Sequence, residues 1–265
     1  MHVAEIATRR LRPSATPRQY FTDRPLVSRH VPRSWSLLDF LLVILGGFVG
    51  AALFVAVSAL LDDEEMSLVL ALTGQYIGHL LVLWALSRRK DDPDLGFSVE
   101  GRDFMYLGLG LLLQLAIAVL FLPLSSLLFP DGESAQQVGT AISGLETTTA
   151  RVAAVVTAVV LAPVTEELIF RGVLLKALGE RTRRTIMVVT AVVFALFHLL
   201  GLDPSRLLQA AAVVLPQLFL VGLILAWVTL RSKRLGPAIF LHSGFNLLAA
   251  IVLLIPTELL EPISG

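Results

Sequence analysis

Seven long apolar runs constrain the fold more than any other feature of this sequence. They cover approximately residues 37–61, 66–86, 104–129, 151–176, 185–200, 207–230 and 236–256. A helix needs about 20 apolar residues to cross a hydrocarbon core of ~30 Å, and backbone that faces lipid must be helical or closed into a barrel. We therefore predict an all-α, polytopic membrane helix bundle with about seven transmembrane helices. Because the fifth run is short, six to eight crossings fit the pattern.

The overall composition supports a membrane protein and excludes several other classes. Hydrophobic residues make up 55% of the chain and charged residues only 16%, with a mean hydropathy of +0.79. The 21 basic residues balance the 21 acidic ones, so we expect no nucleic-acid partner. The chain has no cysteine, which excludes disulfides, a thiolate nucleophile and cysteine-bound metals.

The basic residues are distributed unevenly along the chain. Residues 1–36 contain seven arginines and four prolines, so we predict a mostly disordered, basic cytoplasmic tail before an integral membrane domain at 37–265. With seven crossings, 18 of the 21 Lys and Arg residues fall on one side of the membrane. The positive-inside rule then predicts a cytoplasmic N-terminus and an external C-terminus in a plasma (inner) membrane.

The fourth apolar run carries three ionisable residues. Glu167 and Arg171 are four residues apart and can form an ion pair on one helix face. Glu166 points about 100° away from them and has no local partner. Each buried ion costs at least ~2.5 kcal/mol in a membrane. Pro163 lacks an N–H, so in an α-helix it would free the carbonyl of Val159 and favour a kink. A salt-bridged clamp between helices would explain the pair but not Glu166.

Two further runs carry polar side chains at one-turn spacing. Phe194 and His198 share a face of the fifth run, and His242 and Asn246 share a face of the seventh. Their estimated depths overlap that of Glu166 in the middle to cytoplasmic half of the bilayer, which predicts one site opening toward the cytoplasm. Glu166 with His198 could deprotonate a water, while His242 and Asn246 could donate to an oxyanion. This chemistry favours hydrolysis, with a peptide bond as the substrate.

The three polar segments together match a known set of motifs. Residues 166–171 read EELIFR, residues 194–198 read FALFH and residues 242–246 read HSGFN, which fit E-E-x-x-x-R, F-x-x-x-H and H-x-x-x-N. In this order the segment at about 151–250 resembles the CAAX protease and bacteriocin-processing (CPBP, or Abi) family of intramembrane endopeptidases. The CAAX prenyl protease that processes Ras proteins belongs to that family.

The resemblance implies a role for each motif residue. Glu166 and His198 would activate the water, and His242 and Asn246 would form the oxyanion site. Glu167 with Arg171 would order the fourth helix, and Phe194 would support the site. The implied substrates are membrane-associated proteins or peptides, prenylated CAAX proteins among them, met within the lipid bilayer. We expect no cofactor. The alternative is a zinc ion held by Glu166, His198 and His242.

Two other functions remain as alternatives. The first is a catalytically silent membrane adaptor or immunity protein of the same fold, although such a protein would gain nothing from an unpaired glutamate. The second is a proton- or ion-coupled transporter, which would be expected to contain internal repeats that this sequence does not show. Outside the motifs, Gly46 and Gly50 predict close helix packing, and Gln75 with His79 predicts an interhelical hydrogen bond.

Overall fold

The structure is a helical bundle. The computed structural model describes residues 34–60, 64–130, 144–179 and 181–254, and residues 1–33 of the predicted tail lie outside this part of the chain. Helices make up 84% of the structure, and the described residues form no strand. The predicted all-α fold is therefore confirmed.

Seven helices follow one another in the described part of the chain. They are α1 (Leu37–Ser58), α2 (Glu64–Ser87), α3 (Phe104–Leu128), α4 (Thr148–Ala177), α5 (Arg183–Phe197), α6 (Leu207–Ser232) and α7 (Gly236–Leu254). Short 3₁₀ turns precede α3, follow α5 and precede α6. Six of the helical segments are long and apolar enough to cross a membrane, and the apolar part of α7 is shorter. Both counts fall within the predicted range.

Close backbone contact joins α1 to α2. A Cβ atom added to Gly50 would collide with the carbonyl oxygen of Gly74, and one added to Gly78 would collide with that of Gly46. Small residues allow this approach in membranes, where dispersion contacts replace the hydrophobic effect as the attraction between helices. The packing predicted for Gly46 and Gly50 is confirmed.

Glycines also bring α3 against α7 and α5 against α6. A Cβ atom at Gly110 would meet the backbone of Leu241. A Cβ atom at Gly222 would lie 3.0 Å from the Cα atom of Ala191. Helices α5 and α7 also pack against α4, which carries the acidic pair predicted to belong to the site.

Helix α4 departs from regular α geometry on both sides of its acidic residues. Two π-helical segments, Thr157–Leu161 and Leu168–Leu174, flank the α-helical segment Ala162–Glu167. In the first π segment the N–H of Ala162 donates to the carbonyl of Thr157, five residues back. Such π-bulges occur frequently at functional sites.

This register changes the effect of Pro163. At this five-residue spacing, the missing N–H of Pro163 leaves the carbonyl of Ala158 without its helical donor. The sequence prediction named Val159 because it assumed α-helical spacing. The register of a π-bulge depends on tertiary packing, which the local sequence does not encode.

Ion pairs fasten the basic ends of the helices. Lys90 Nζ lies 2.7 Å from Asp39 Oδ2, and Arg234 Nη2 donates to Asp103 Oδ1 at 2.7 Å. The Asp103 side chain is fully buried. The core of α4 next to these ends, which includes Val173 and Leu174, is also closed to solvent.

Candidate active site

Glu166 lies in α4 between the two π segments, and its two carboxylate oxygens have different surroundings. The side chain is almost buried, with 6% of the residue exposed. Oε1 accepts a hydrogen bond from the Tyr76 hydroxyl at 3.2 Å. Oε2 has no hydrogen-bond partner among the described residues. It lies 3.8 Å from His242 Nε2 and 4.0 Å from His198 Nε2, so one free carboxylate oxygen faces two imidazoles.

His198 follows the last turn of α5, and its backbone contact defines its tautomer. Its Nδ1 atom lies 2.8 Å from the carbonyl oxygen of Phe194. A carbonyl can only accept, so Nδ1 carries the proton and donates it. In the neutral ring Nε2 is then an acceptor, and it faces Glu166. A ring with this tautomer can take a proton from a water molecule.

Glu167 forms the ion pair that the spacing predicts and a second contact that it does not. Its residue is fully buried, and Oε1 lies 2.9 Å from Arg171 Nη1 and 3.0 Å from His242 Nδ1. Arg171 Nη2 also donates to the carbonyl of Gly222 in α6 at 3.2 Å. One carboxylate therefore ties α4 to α7, and its arginine partner ties α4 to α6.

The contact with Glu167 also defines the tautomer of His242. A carboxylate accepts hydrogen bonds, so His242 donates from Nδ1 and its neutral ring presents Nε2 as an acceptor. His242 can donate from Nε2 only when both ring nitrogens carry protons. Glu167 Oε1 lies 3.0 Å from Nδ1 and Glu166 Oε2 lies 3.8 Å from Nε2, so each ring nitrogen faces a carboxylate oxygen.

The side chain of Asn246 supplies a hydrogen bond that the backbone of α4 lacks. Its Nδ2 atom donates to the carbonyl oxygen of Ala158 at 2.8 Å, the carbonyl that Pro163 leaves free. A carboxamide has two N–H donors and one acceptor oxygen. One N–H of Asn246 therefore remains available to another group.

The ring of Phe194 contacts Arg171, His198 and His242. Its ring is fully buried and lies 4.5 Å from the guanidinium carbon of Arg171. Its centroid is 4.8 Å from that of His198 and 5.8 Å from that of His242, both in edge-on arrangements. This ring fixes the spacing of the two imidazoles and contributes a cation–π contact to the buried arginine.

A cavity of about 460 Å³ contains the predicted catalytic residues. Glu166, His198, His242 and Asn246 all line it, so the structure brings the three motifs together. Its other polar lining residues are Gln75, Tyr76, Gln114 and Gln217. The remaining lining is mostly apolar and includes Phe48, Leu72, Val155, Leu218, Val221 and Phe245.

The cavity extends away from the basic ends of the helices. Its lining includes Leu200 and Gly201, at the end of α5 opposite Arg183. It also includes Ala154 near the start of α4 and Ala250 near the end of α7. The depths estimated from the sequence measured only the distance from a helix end and could not show which half of the bundle is hollow.

The zinc alternative concerns the residues around Glu166. Among residues 34–60, 64–130, 144–179 and 181–254, no group of three or more His, Asp or Glu side chains is arranged to hold a metal ion. His242 also directs its Nδ1 to Glu167, which is the second contact that metal-bound histidines commonly make. The chemistry considered below uses no metal.

Two residues of the site were not predicted from the sequence. Tyr76 lies on α2, outside all three motifs, yet its hydroxyl reaches Glu166. Gly222 supplies a carbonyl to Arg171 from α6. Single polar or small residues in apolar runs carry no signal of the helix that they face, so only the tertiary structure reveals these contacts.

The fold and the site define a class: a polytopic helical membrane protein with a carboxylate and two imidazoles enclosed among its helices. Residues 148–248 match the family model described as type II CAAX prenyl endopeptidase Rce1-like. This segment contains all three motifs, so the resemblance to the CPBP/CAAX protease family is confirmed. No curated protein and no solved structure matches the chain. The family is one of CAAX-type intramembrane proteases, which act on protein substrates at the membrane.

Proposed function

We propose that this protein is an intramembrane endopeptidase that hydrolyses peptide bonds of membrane-associated proteins, prenylated CAAX-type proteins included. One observation carries the proposal. Glu166 Oε2 is buried, has no hydrogen-bond partner within the described ranges, and lies within 4.0 Å of the Nε2 atoms of both His198 and His242. A helix bundle tolerates an unpaired carboxylate at this depth only at a cost, which a catalytic role would justify.

Glu166 and His198 are suited to activate water. Their separation of 4.0 Å is too long for a direct hydrogen bond and fits a bridging water molecule. As the water oxygen attacks the scissile carbonyl carbon, its proton passes to this pair and the carbonyl oxygen becomes an oxyanion. The tetrahedral intermediate then collapses, the C–N bond breaks and the departing amine takes the proton.

His242 and Asn246 are suited to stabilise the oxyanion. Asn246 has an N–H that Ala158 does not use, and His242 can donate from Nε2 when it is doubly protonated. Donors held in place before the reaction stabilise developing charge without reorganisation. Tyr76 would act as a positioning residue, because its hydroxyl occupies Oε1 of Glu166 and leaves Oε2 for the water.

The side of the membrane from which the substrate enters is part of the proposal. The charge distribution supports a cytoplasmic N-terminus and an external C-terminus. In that orientation the cavity extends toward the outside through Leu200 and Gly201, opposite to the cytoplasmic opening that the sequence predicted. Given the position of the cavity, the predicted orientation of the chain and the predicted cytoplasmic opening of the site cannot both hold. The cavity lining favours access from the side away from the basic ends.

Turnover of quenched peptides tests the proposed function. The purified protein is assayed in detergent with a prenylated CAAX peptide and with an unmodified apolar peptide, beside Glu166→Gln and with and without a chelator. We expect the wild-type protein to cleave at least one peptide, the chelator to have no effect, and Glu166→Gln to be inactive. Chelator-sensitive cleavage that zinc restores would contradict the metal-free mechanism and assign Glu166, His198 and His242 as ligands.

The silent adaptor is the second candidate, and the same variant separates it from the protease. An adaptor acts through binding, so its cellular effect would survive Glu166→Gln, which keeps the shape of the side chain. A protease would lose its cellular effect together with its cleavage. Loss of both in Glu166→Gln therefore supports the endopeptidase.

A further inference from the structure

Three glutamines surround the cavity from helices that carry none of the three motifs. Gln75 lies on α2, Gln114 on α3 and Gln217 on α6. The first two lie outside the segment that matches the family model. Gln75, which was predicted together with His79 to form an interhelical hydrogen bond, lines the cavity. These three carboxamides converge on the space next to Glu166.

Gln114 has unused hydrogen-bonding capacity inside the bundle. The Oε1 atom of Gln114 is buried with no hydrogen-bond partner among the described residues. Gln75 and Gln217 are half-buried and line the same cavity. A buried amide without a partner is costly in an apolar environment. The unpaired buried oxygen of Gln114, beside two half-buried carboxamides on the same cavity, indicates that a polar ligand pairs with these groups.

The charge of the lining limits the chemistry of that ligand. Among the described lining residues there is no lysine or arginine, and Glu166 is the one carboxylate. A ligand carboxylate would find no cation, and a ligand ammonium would pair with the group proposed to activate water. The other surroundings are aliphatic and aromatic side chains. The cavity therefore suits a neutral segment that alternates N–H and C=O groups and carries apolar side chains.

We infer that Gln75, Gln114 and Gln217 form a binding subsite for the backbone of an extended, uncharged, apolar peptide segment. The inference rests on the proposed function for its choice of a peptide, and it adds how the peptide is held. Each carboxamide can donate to a backbone carbonyl and accept from a backbone N–H at once. Binding through the main chain leaves the side chains of the segment to contact the apolar lining, as in other extended-peptide sites.

Direct binding tests the subsite without any need for cleavage. The probe is a short fluorescent peptide of alanine, valine and leucine with both ends blocked, added to Glu166→Gln protein in nanodiscs. We expect Gln114→Met in this background to weaken binding by about threefold to tenfold, the usual effect of one neutral hydrogen bond. Gln75→Met and Gln217→Met should act similarly. The matched control is Gln209→Met, an exposed glutamine on α6 outside the cavity, which should leave the Kd unchanged.

A second set of probes identifies the peptide backbone as the bound group. Replacing one amide of the peptide by an ester removes a single N–H. At one position, we expect the ester to weaken binding to the Glu166→Gln protein and to have no further effect in Glu166→Gln/Gln114→Met. An aspartate in the middle of the peptide should weaken binding more than the ester does. Absence of saturable binding, equal Kd values in the three glutamine variants and the control, or ester effects that no glutamine variant alters would overturn the inference.

The two proposals fail in different ways. If the wild-type protein cleaves peptides while the glutamine variants bind like the control, the endopeptidase stands and the subsite is wrong. If no peptide is cleaved while binding depends on the glutamines, the subsite stands and the protein is a peptide-binding adaptor.

Discussion

Glu167 shows how one residue can organise a membrane-embedded site. Its Oε1 atom contacts both Arg171 on its own helix and His242 on α7. The ring of Phe194 lies between the arginine and the two histidines. A buried charge is tolerated when it is paired and hydrogen-bonded. In this arrangement the pairing of Glu167 also sets the tautomer of His242.

The hydroxyl of Tyr76 offers a test at the scale of one atom. Tyr76→Phe removes the hydrogen bond to Glu166 Oε1 and keeps the ring. The carboxylate can then rotate away from the histidines, so we expect kcat to fall by about tenfold, the value of one hydrogen bond to a charged group, with KM little changed. Steady-state kinetics on a quenched peptide measures both constants.

The matched control for this variant is Tyr106→Phe. Tyr106 is a half-buried tyrosine of α3 that does not line the cavity. Its substitution should leave both constants unchanged. Equal kcat values for Tyr76→Phe and the wild-type protein would show that Tyr76 does not position Glu166.

At the scale of the element, α4 combines a proline, two π segments and a side chain from another helix. Pro163 leaves the carbonyl of Ala158 without its helical donor, and Asn246 replaces that donor from α7. The irregular helix is thus completed only in the folded bundle. Asn246 also lines the cavity, and one of its two N–H donors is not used by the Ala158 carbonyl.

A double-mutant cycle tests this coupling between Pro163 and Asn246. Asn246→Leu leaves the Ala158 carbonyl unpaired, so we expect it to lower the free energy of unfolding by about 1–3 kcal/mol. Pro163→Ala supplies a backbone N–H at the right register, so the same Asn246→Leu change should cost at least about 0.5 kcal/mol less in that background. Equilibrium unfolding in mixed micelles measures all four proteins, and strictly additive effects would refute the coupling.

Residue spacing within each helix predicted part of the site, but it could not predict contacts between helices. The four-residue spacing of Glu167 and Arg171 was sufficient to predict their ion pair, and the apolar runs predicted seven helices. Tyr76 was missed because a tyrosine in an apolar run does not reveal which neighbour it faces. The position of Gln75 at the cavity was missed for the same reason, because the direction in which a side chain faces is set by packing in a bundle that is apolar on nearly all sides.

At the scale of the whole molecule, the two halves of the bundle differ. Near the basic ends, ion pairs such as Lys90 with Asp39 and buried residues such as Val173 close the interior. Toward the opposite ends, the cavity reaches Gly201. The hollow half of the bundle is therefore the half away from the basic ends, and we proposed above that the substrate enters there.

Labelling of single introduced cysteines tests the side of access. The natural chain has no cysteine, so no other residue of the protein contributes a thiol. Gly201→Cys places a thiol at the cavity end, and Arg88→Cys places one in the exposed basic connection after α2. In intact bacterial spheroplasts, we expect an impermeant maleimide to label Gly201→Cys from outside and Arg88→Cys only after permeabilisation. The reverse pattern would place the cavity end in the cytoplasm and contradict the proposed orientation.

The most direct test of the central claim compares two adjacent carboxylates by cleavage rate and melting temperature. Glu166 has no cation partner within its helix, so Glu166→Gln should slow cleavage at least about 100-fold and shift Tm by no more than about 2 °C. Glu167→Gln should lose cleavage and also lower Tm clearly, because it leaves the buried Arg171 without its charge partner. If Glu166→Gln keeps cleaving, or is destabilised as strongly as Glu167→Gln, then Glu166 is structural and the proposed mechanism is wrong.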